Sequence, residues 1–309
     1  MMEIEKVAIL GAGAMGAFFA AKFFEAGDFS VSLVAGGERY DRLKEHGLVV
    51  NGKEYFIPVT HPDEAAPPAD LIIVALKHHH LAEAVKDLKN LVGEQTTILS
   101  VMNGLDSEEI IGSVYGMEKM LYTISVAIDA VREGNQVTYT NPGKHYFGEK
   151  INNDIGPKVR RVQAAFDRAG IAWETPVDMV RMLWWKFMVN VGMNQTSAAM
   201  QAPYGVFQTS PYARELMETG MQEVVVLAKD SGIDLTEKDI DDWYGLINTL
   251  SPQGKTSMLQ DVEAGRKTEI EIFAGKVVEL GKTQGIPTPV NETLFRIVRV
   301  LESRNEVPN

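Results

Sequence analysis

An apolar run, Val7-Ala8-Ile9-Leu10, breaks into Gly11-Ala12-Gly13-Ala14-Met15-Gly16, after which a helical pattern continues to Ala26 and stops at Gly27. Few arrangements use three glycines at that spacing between a strand and a helix. Gly11 suits a tight turn, Gly13 lets backbone approach a pyrophosphate, and Gly16 lets the helix lie close to a sheet. The free N–H groups and positive dipole end of that helix then hold the phosphates. Glycine-rich turns alone are common, but one that follows a strand and opens a helix specifies a dinucleotide site. Gly11, Ala12, Gly13, Ala14, Met15 and Gly16 are therefore assigned to a cofactor, in a chain that begins as an α/β domain.

Composition narrows the partners. At 309 residues the chain can bury the cores of two domains. Its 30 basic and 42 acidic residues give a net charge of -12. With no basic excess to neutralise phosphates, neither nucleic acid nor an anionic membrane is an expected partner. An anionic substrate must instead be held by a few placed groups. The absence of cysteine excludes disulfides, thiolate catalysis and Cys-ligated zinc. No apolar run approaches ~18 residues and no basic-then-apolar leader is present, so a soluble cytoplasmic protein is expected.

A second strand is expected over 29–34 and a helix over 39–45. NAD-binding folds usually place an acid at the tip of that strand, ~20 residues past the glycines, for the ribose 2′-OH. This chain has Val34-Ala35-Gly36-Gly37 there, with Arg39 and Arg42 close behind. That pattern leans towards a 2′-phosphate and hence NADP. Asn51-Gly52 between two apolar runs predicts a hairpin. The aliphatic run 71–76 reads as a central parallel strand covered on both faces. Lys77 follows at its end, where open α/β sheets bind ligands, and could reach a phosphate or ribose.

His78-His79-His80 comes next, but adjacent side chains diverge and no acidic partner motif follows. These read as loop and helix-start residues, and no metal is expected. An amphipathic helix is predicted over 81–92 and a strand over 97–100, ending in Met102-Asn103-Gly104. Asn103 can bond the nicotinamide or the substrate, or serve only the turn. Alternating segments over 121–147, a helix over 157–169 and an edge strand over 171–174 complete this half. After Pro176 the periodicity is helical almost throughout. The division is placed there, with a dinucleotide-binding domain over 1–176 and a helical substrate domain over 177–309.

Residues 182–200 are nearly uniformly apolar and predict a buried helix. The polar exceptions Lys186, Asn190 and Asn194 recur in steps of four, which places them in a row on one face. Asparagine is a poor helix former, and an unpaired buried ammonium is costly, so the row calls for a ligand or partner. Further on, Ser257-Met258-Leu259-Gln260-Asp261 and Arg266-Lys267-Thr268-Glu269 interrupt a helical region without forming a solvent face.

Taken in order, the glycine loop, Asn103-Gly104, Lys186-x-x-x-Asn190-x-x-x-Asn194, Ser257-Met-x-x-Asp261 and Arg266-x-Thr-Glu269 resemble the ketopantoate reductase family over essentially the whole chain. The resemblance implies an N-terminal Rossmann-like dinucleotide-binding domain followed by an all-helical C-terminal domain. It implies NADPH as cofactor and reduction of a 2-keto acid, 2-dehydropantoate (ketopantoate), in pantothenate biosynthesis. By motif, Lys186 matches the general acid. Asn190, Asn194 and Ser257 match residues that hold the substrate, Glu269 the carboxylate that helps bind it, and Lys77 and Asn103 positions facing cofactor or reacting centre. A homodimer is compatible with this.

The chain departs from the family pattern at Gly36, where arginine is frequent. It departs again at Gln195-Thr196 in place of Pro-Leu, at Glu271 in place of Asp, and at Ala274 in place of Asn. These changes are expected to border the substrate side. The alternatives are a paralogous reductase of another 2-keto acid and a dinucleotide-binding sensor without chemistry. The sensor predicts a broken Lys186 row, and the row is intact.

Overall fold

The computed structural model describes residues 3–304. They form two compact units, one through Val180 and one from Arg181.

The first unit runs β1 (Lys6–Leu10), α1 (Ala14–Ala26), β2 (Ser30–Val34), α2 (Gly37–His46), β3 (Leu48–Val50), β4 (Lys53–Tyr55), β5 (Val59–Thr60) and β6 (Leu71–Val74). It continues through a 3-10 turn (His78–His80), α3 (Leu81–Ala84), β7 (Thr97–Ser100), α4 (Ser107–Tyr115), β8 (Met120–Ile128), β9 (Val131–Glu133), β10 (Gln136–Thr138), β11 (Pro142–Gly148), α5 (Pro157–Arg168) and β12 (Trp173–Glu174).

The main sheet has the order β12-β11-β8-β7-β6-β1-β2-β5. From β8 to β5 all neighbours are parallel, and β11 then returns antiparallel to β8. β6 is buried at every residue, as an all-aliphatic central strand requires. β1 lies between β6 and β2, with Leu10 opposite both Val74 and Val34. The chain thus leaves β1 in one direction and reaches β6 on the other side. That reversal point is where sheets of this kind bind ligands.

α1 is fixed by aromatic packing. Phe18, Phe19 and Phe23 are buried, with Phe19 and Phe23 against Phe166 of α5 and Phe19 against His145 of β11. His145 itself is buried, which pushes its pKa down to about 4 and keeps it neutral.

One expectation is corrected here, and one is made more specific. The helix expected over 81–92 is one short α-helical turn followed by a 3-10 turn, Val85–Leu88. The spacing explains the change. The buried positions Leu81 and Val85 are four apart, but Val85, Leu88 and Leu91 are three apart, the repeat of a 3-10 helix. The strands between 121 and 147 also do not all join one sheet. β9 and β10 leave it and pair with the β3–β4 hairpin as a separate sheet of order β4-β3-β10-β9. That hairpin turns at Asn51 (φ 49°) and Gly52 (φ 78°), as its Asn-Gly pair predicts.

The second unit is helical: α6 (Met179–Val189, begun in the last residues of the first unit), a π turn (Asn190–Asn194), α7 (Gln195–Met200), α8 (Tyr204–Thr209), α9 (Pro211–Asp230), α10 (Glu237–Ile247), α11 (Ser257–Glu263), a second π turn (Glu271–Gly275), α12 (Lys276–Gln284) and α13 (Pro289–Ser303). Its helix ends are specified locally. Ser210 caps α9 ahead of Pro211, Thr236 and Asp239 form a capping box on α10, and Thr256 caps α11. Among the described residues, no helix is long and apolar enough to cross a membrane.

Candidate active site

In the first unit the three glycines meet different surroundings. Gly11 has φ 102°, and a Cβ on it would lie 2.4 Å from the Ala75 carbonyl oxygen. A Cβ on Gly16 would lie 1.7 Å from the Gly11 oxygen. Both glycines are demanded by the fold itself. Gly13 is not, because its φ of -78° suits any residue and a Cβ there meets nothing within 4 Å. It is the residue before α1, and no side chain caps that helix. An open cradle above uncapped helical N–H groups fits a pyrophosphate. Lys77 follows β6 at the head of the 3-10 turn, and Asn103 lies in the turn after β7. Both are therefore at the same edge of the sheet as the glycine loop.

The Asn103 turn is held by a buried network that the sequence reading missed. Ser100 Oγ donates to Ser107 Oγ (2.7 Å), Ser107 Oγ donates to Glu108 Oε2 (2.8 Å), and Thr123 N donates to Glu108 Oε1 (3.4 Å). Glu108 is 1% exposed, and burial pushes its pKa up to about 7. A glutamate in an otherwise ordinary first helical turn gives no sequence signal of this.

In the second unit the Lys186 row does not lie on one regular helix. Asn190–Asn194 is a π turn, which holds more residues per turn than the 3.6 of an α-helix. The second four-residue step therefore closes less than a full revolution, while the first overshoots one. Asn190 and Asn194 remain neighbours, with Asn194 Nδ2 donating to Asn190 Oδ1 at 3.4 Å. The cause is packing from a distance. A Cβ on Gly192 would meet Met221 Cγ at 2.3 Å, and one on Gly220 would lie 4.0 Å from the Gly192 Cα. α9 thus crosses this turn at glycine-to-glycine range. Asn190 is buried, whereas Lys186 and Asn194 are part-buried. Burial pushes the Lys186 ammonium down to about 8.

Ser257 is the first residue of α11 and is exposed. The residue before it, Thr256, is buried. It accepts from Leu259 N (3.1 Å) and donates to Ser197 Oγ (3.2 Å), which fixes the start of α11 against α7. Glu269 sits between buried Thr268 and Ile270. Thr268 donates to Glu302 Oε1 through both N (2.8 Å) and Oγ1 (2.7 Å), and the Arg266–Asp261 ion pair (2.9 Å) closes the loop before it. α11, which bears Ser257, and the second π turn, which begins two residues after Glu269, both pack on the first π turn with Asn190 and Asn194.

The departures from the family pattern divide between the interior and the surface of the helical unit. Gln195 and Thr196 are fully buried. Gln195 Nε2 donates to Asn291, which Glu223 holds in turn, and Thr196 Oγ1 donates to the Gly192 carbonyl. Ala274 is buried, and Glu271 pairs with Lys267 and Arg299. Gln195, Thr196 and Ala274 thus pack inside the helical unit, Thr196 against the π turn of the Lys186 row, and Glu271 lies at the surface.

A dinucleotide-binding α/β unit with room beside the Gly13 backbone, followed by an all-helical unit carrying a lysine of lowered pKa, defines an NAD(P)H-dependent oxidoreductase. Comparison with known proteins narrows the class. Residues 7–152 match "Ketopantoate reductase PanE/ApbA" and residues 178–302 match its C-terminal counterpart. The chain belongs to the ketopantoate reductase family.

Among its relatives, the 2-dehydropantoate 2-reductase of Aquifex aeolicus is 28% identical, over 98% of each chain. That of Pyrococcus horikoshii is 29% identical, over 96% of this chain and 98% of its own. Among solved structures, D-mandelate dehydrogenase with NADH and anilino(oxo)acetate has a TM-score of 0.87 at 26% identity, covering 98% of this chain and 100% of that one. The 2-dehydropantoate 2-reductase of Geobacter metallireducens has a TM-score of 0.84 at 26% identity, covering 96% and 99%.

Proposed function

We propose that this protein reduces 2-dehydropantoate to pantoate with NADPH. The observation that carries the proposal is Lys186, a part-buried lysine lowered to about 8 and followed by Asn190 and Asn194 in the π turn after its helix. When bound, the cofactor supplies hydride to the keto carbon. Negative charge then develops on the keto oxygen, and Lys186 Nζ donates the proton that neutralises it. A pKa near the working pH suits an acid that must give up its proton and regain it each cycle.

Asn190, Asn194 and Ser257 offer hydrogen-bond donors to the substrate, Ser257 to its carboxylate. Glu269 accepts from the terminal hydroxyl. On the cofactor side, Gly13 leaves room for the pyrophosphate at the N-terminus of α1, and Lys77 and Asn103 face the cofactor from the ends of β6 and β7. Arg39 and Arg42 receive the 2′-phosphate through charge-assisted bonds.

The likeness to D-mandelate dehydrogenase favours a second reading, reduction of a different 2-keto acid. Ketopantoate and its des-hydroxy analogue, compared on wild type and Glu269→Ala, separate the two. A site built to bond the hydroxyl leaves a carboxylate unpaired when the hydroxyl is missing. Wild type should favour ketopantoate in kcat/KM, and the variant should narrow the gap. A wild type that does not distinguish them supports the second reading.

A further inference from the structure

Arg132 lies on β9, in the small sheet, opposite Val137. Its side chain leaves that sheet and crosses to the glycine-rich loop. There Nη1 donates to the Ala12 carbonyl (2.9 Å), while Nε donates to the Gly134 carbonyl (2.9 Å). Three further N–H donors of the guanidinium remain. The group is part-buried, and the charges acting on it are those of Arg42 and Arg39, both of its own sign. Burial first, and then these two arginines, push it below the usual arginine range.

Arg132 thus reaches the point where β1 and β2 end side by side, Leu10 opposite Val34, just before the glycine loop and α2, the helix that carries Arg39 and Arg42. Like charges gathered beside a phosphate-binding loop call for an anion. The tip of β2 is the place that meets the adenosine ribose in folds of this kind.

We propose that Arg132 is the third guanidinium of the site for the cofactor's 2′-phosphate, and the residue that ties that site to the glycine-rich loop. The proposal rests on the NADPH reading above and adds a specificity-determining residue to it. Its bond to the Ala12 carbonyl connects the 2′-phosphate side of the site with the glycine-rich loop.

The test is calorimetry of NADPH, NADH and 2′,5′-ADP on the full chain, as wild type and Arg132→Ala. Wild type should prefer NADPH. The variant should lose roughly ten-fold or more in affinity for NADPH and 2′,5′-ADP, the worth of a hydrogen bond to a charged group. Its affinity for NADH should stay within about three-fold, so the cofactor ratio collapses. Should the alanine variant fail to fold, Arg132→Gln reads the same ratio, since it keeps a donor for Ala12 without the charge.

Equal weakening of NADPH and NADH would make Arg132 a support for the loop alone and overturn the proposal, as would an unchanged NADPH affinity. If wild type prefers NADPH and the variant keeps that preference, only this inference fails. If wild type shows no preference, the NADPH reading fails and takes this one with it.

Discussion

Replacing Lys186 with methionine is expected to stabilise the fold while removing its chemistry. The lysine is part-buried and its pKa is lowered from 10.5 to about 8 by desolvation. A shift of that size corresponds to about 3 kcal/mol of cost for holding the charge, an upper figure because the side chain keeps some solvent contact. The sign follows from linkage. Below pH 8 the ammonium is charged in both folded and unfolded chains, so the full cost is present. Between about 8 and 10.5 the folded chain releases the proton first, so wild-type stability rises with pH and the cost fades.

Methionine fills similar volume without the charge. The variant should therefore gain roughly 1–3 kcal/mol at pH 7, and the gain should shrink towards pH 10.5. Turnover of a 2-keto acid with NADPH should fall by about 10²–10⁴, the range for a positioned acid. Wild-type kcat should itself decline as pH rises through about 8, when the acid loses its proton. Chemical denaturation over a pH series and steady-state absorbance kinetics read the two effects separately. A variant that loses stability at pH 7 would show that the lysine is an ion-paired structural group. One that keeps turnover within a few-fold would remove Lys186 from the chemistry.

Two further outcomes follow from single positions. Gly13→Val should fold normally, because a Cβ there meets nothing, yet lose dinucleotide binding by calorimetry. Unchanged affinity would move the cofactor elsewhere. Glu108→Gln should leave stability unchanged below about pH 4.5, where the acid is protonated in both states, and raise it by up to about 3 kcal/mol above pH 7, where wild type must bury a charge. A variant less stable than wild type at pH 8 would mean that the buried carboxylate is stabilising.

What the sequence reveals depends on how local the cause is. The glycine loop is legible because two of its glycines answer clashes within a few residues or with the adjacent strand. The Asn51-Gly52 turn is legible because its backbone conformation is its own. The π turn at Asn190 is not, because its cause, the crossing of Gly192 by Gly220, comes from a helix three elements further on. Arg132 escapes for the same reason, since its bond to Ala12 spans 120 residues. The break after Ala84 was open to reading, because buried positions at 85, 88 and 91 carry a three-residue repeat. The burial of Gln195 and Ala274 is likewise set from a distance, Gln195 by its bond to Asn291, 96 residues on, and so is not legible locally.

The central claim is that this chain reduces ketopantoate with NADPH. Initial rates on purified protein, with ketopantoate and a panel of other 2-keto acids and each of NADPH and NADH, test it most directly. The account predicts the highest kcat/KM for ketopantoate with NADPH. A higher value for an aromatic or straight-chain 2-keto acid, or equal values for the two cofactors, would contradict it.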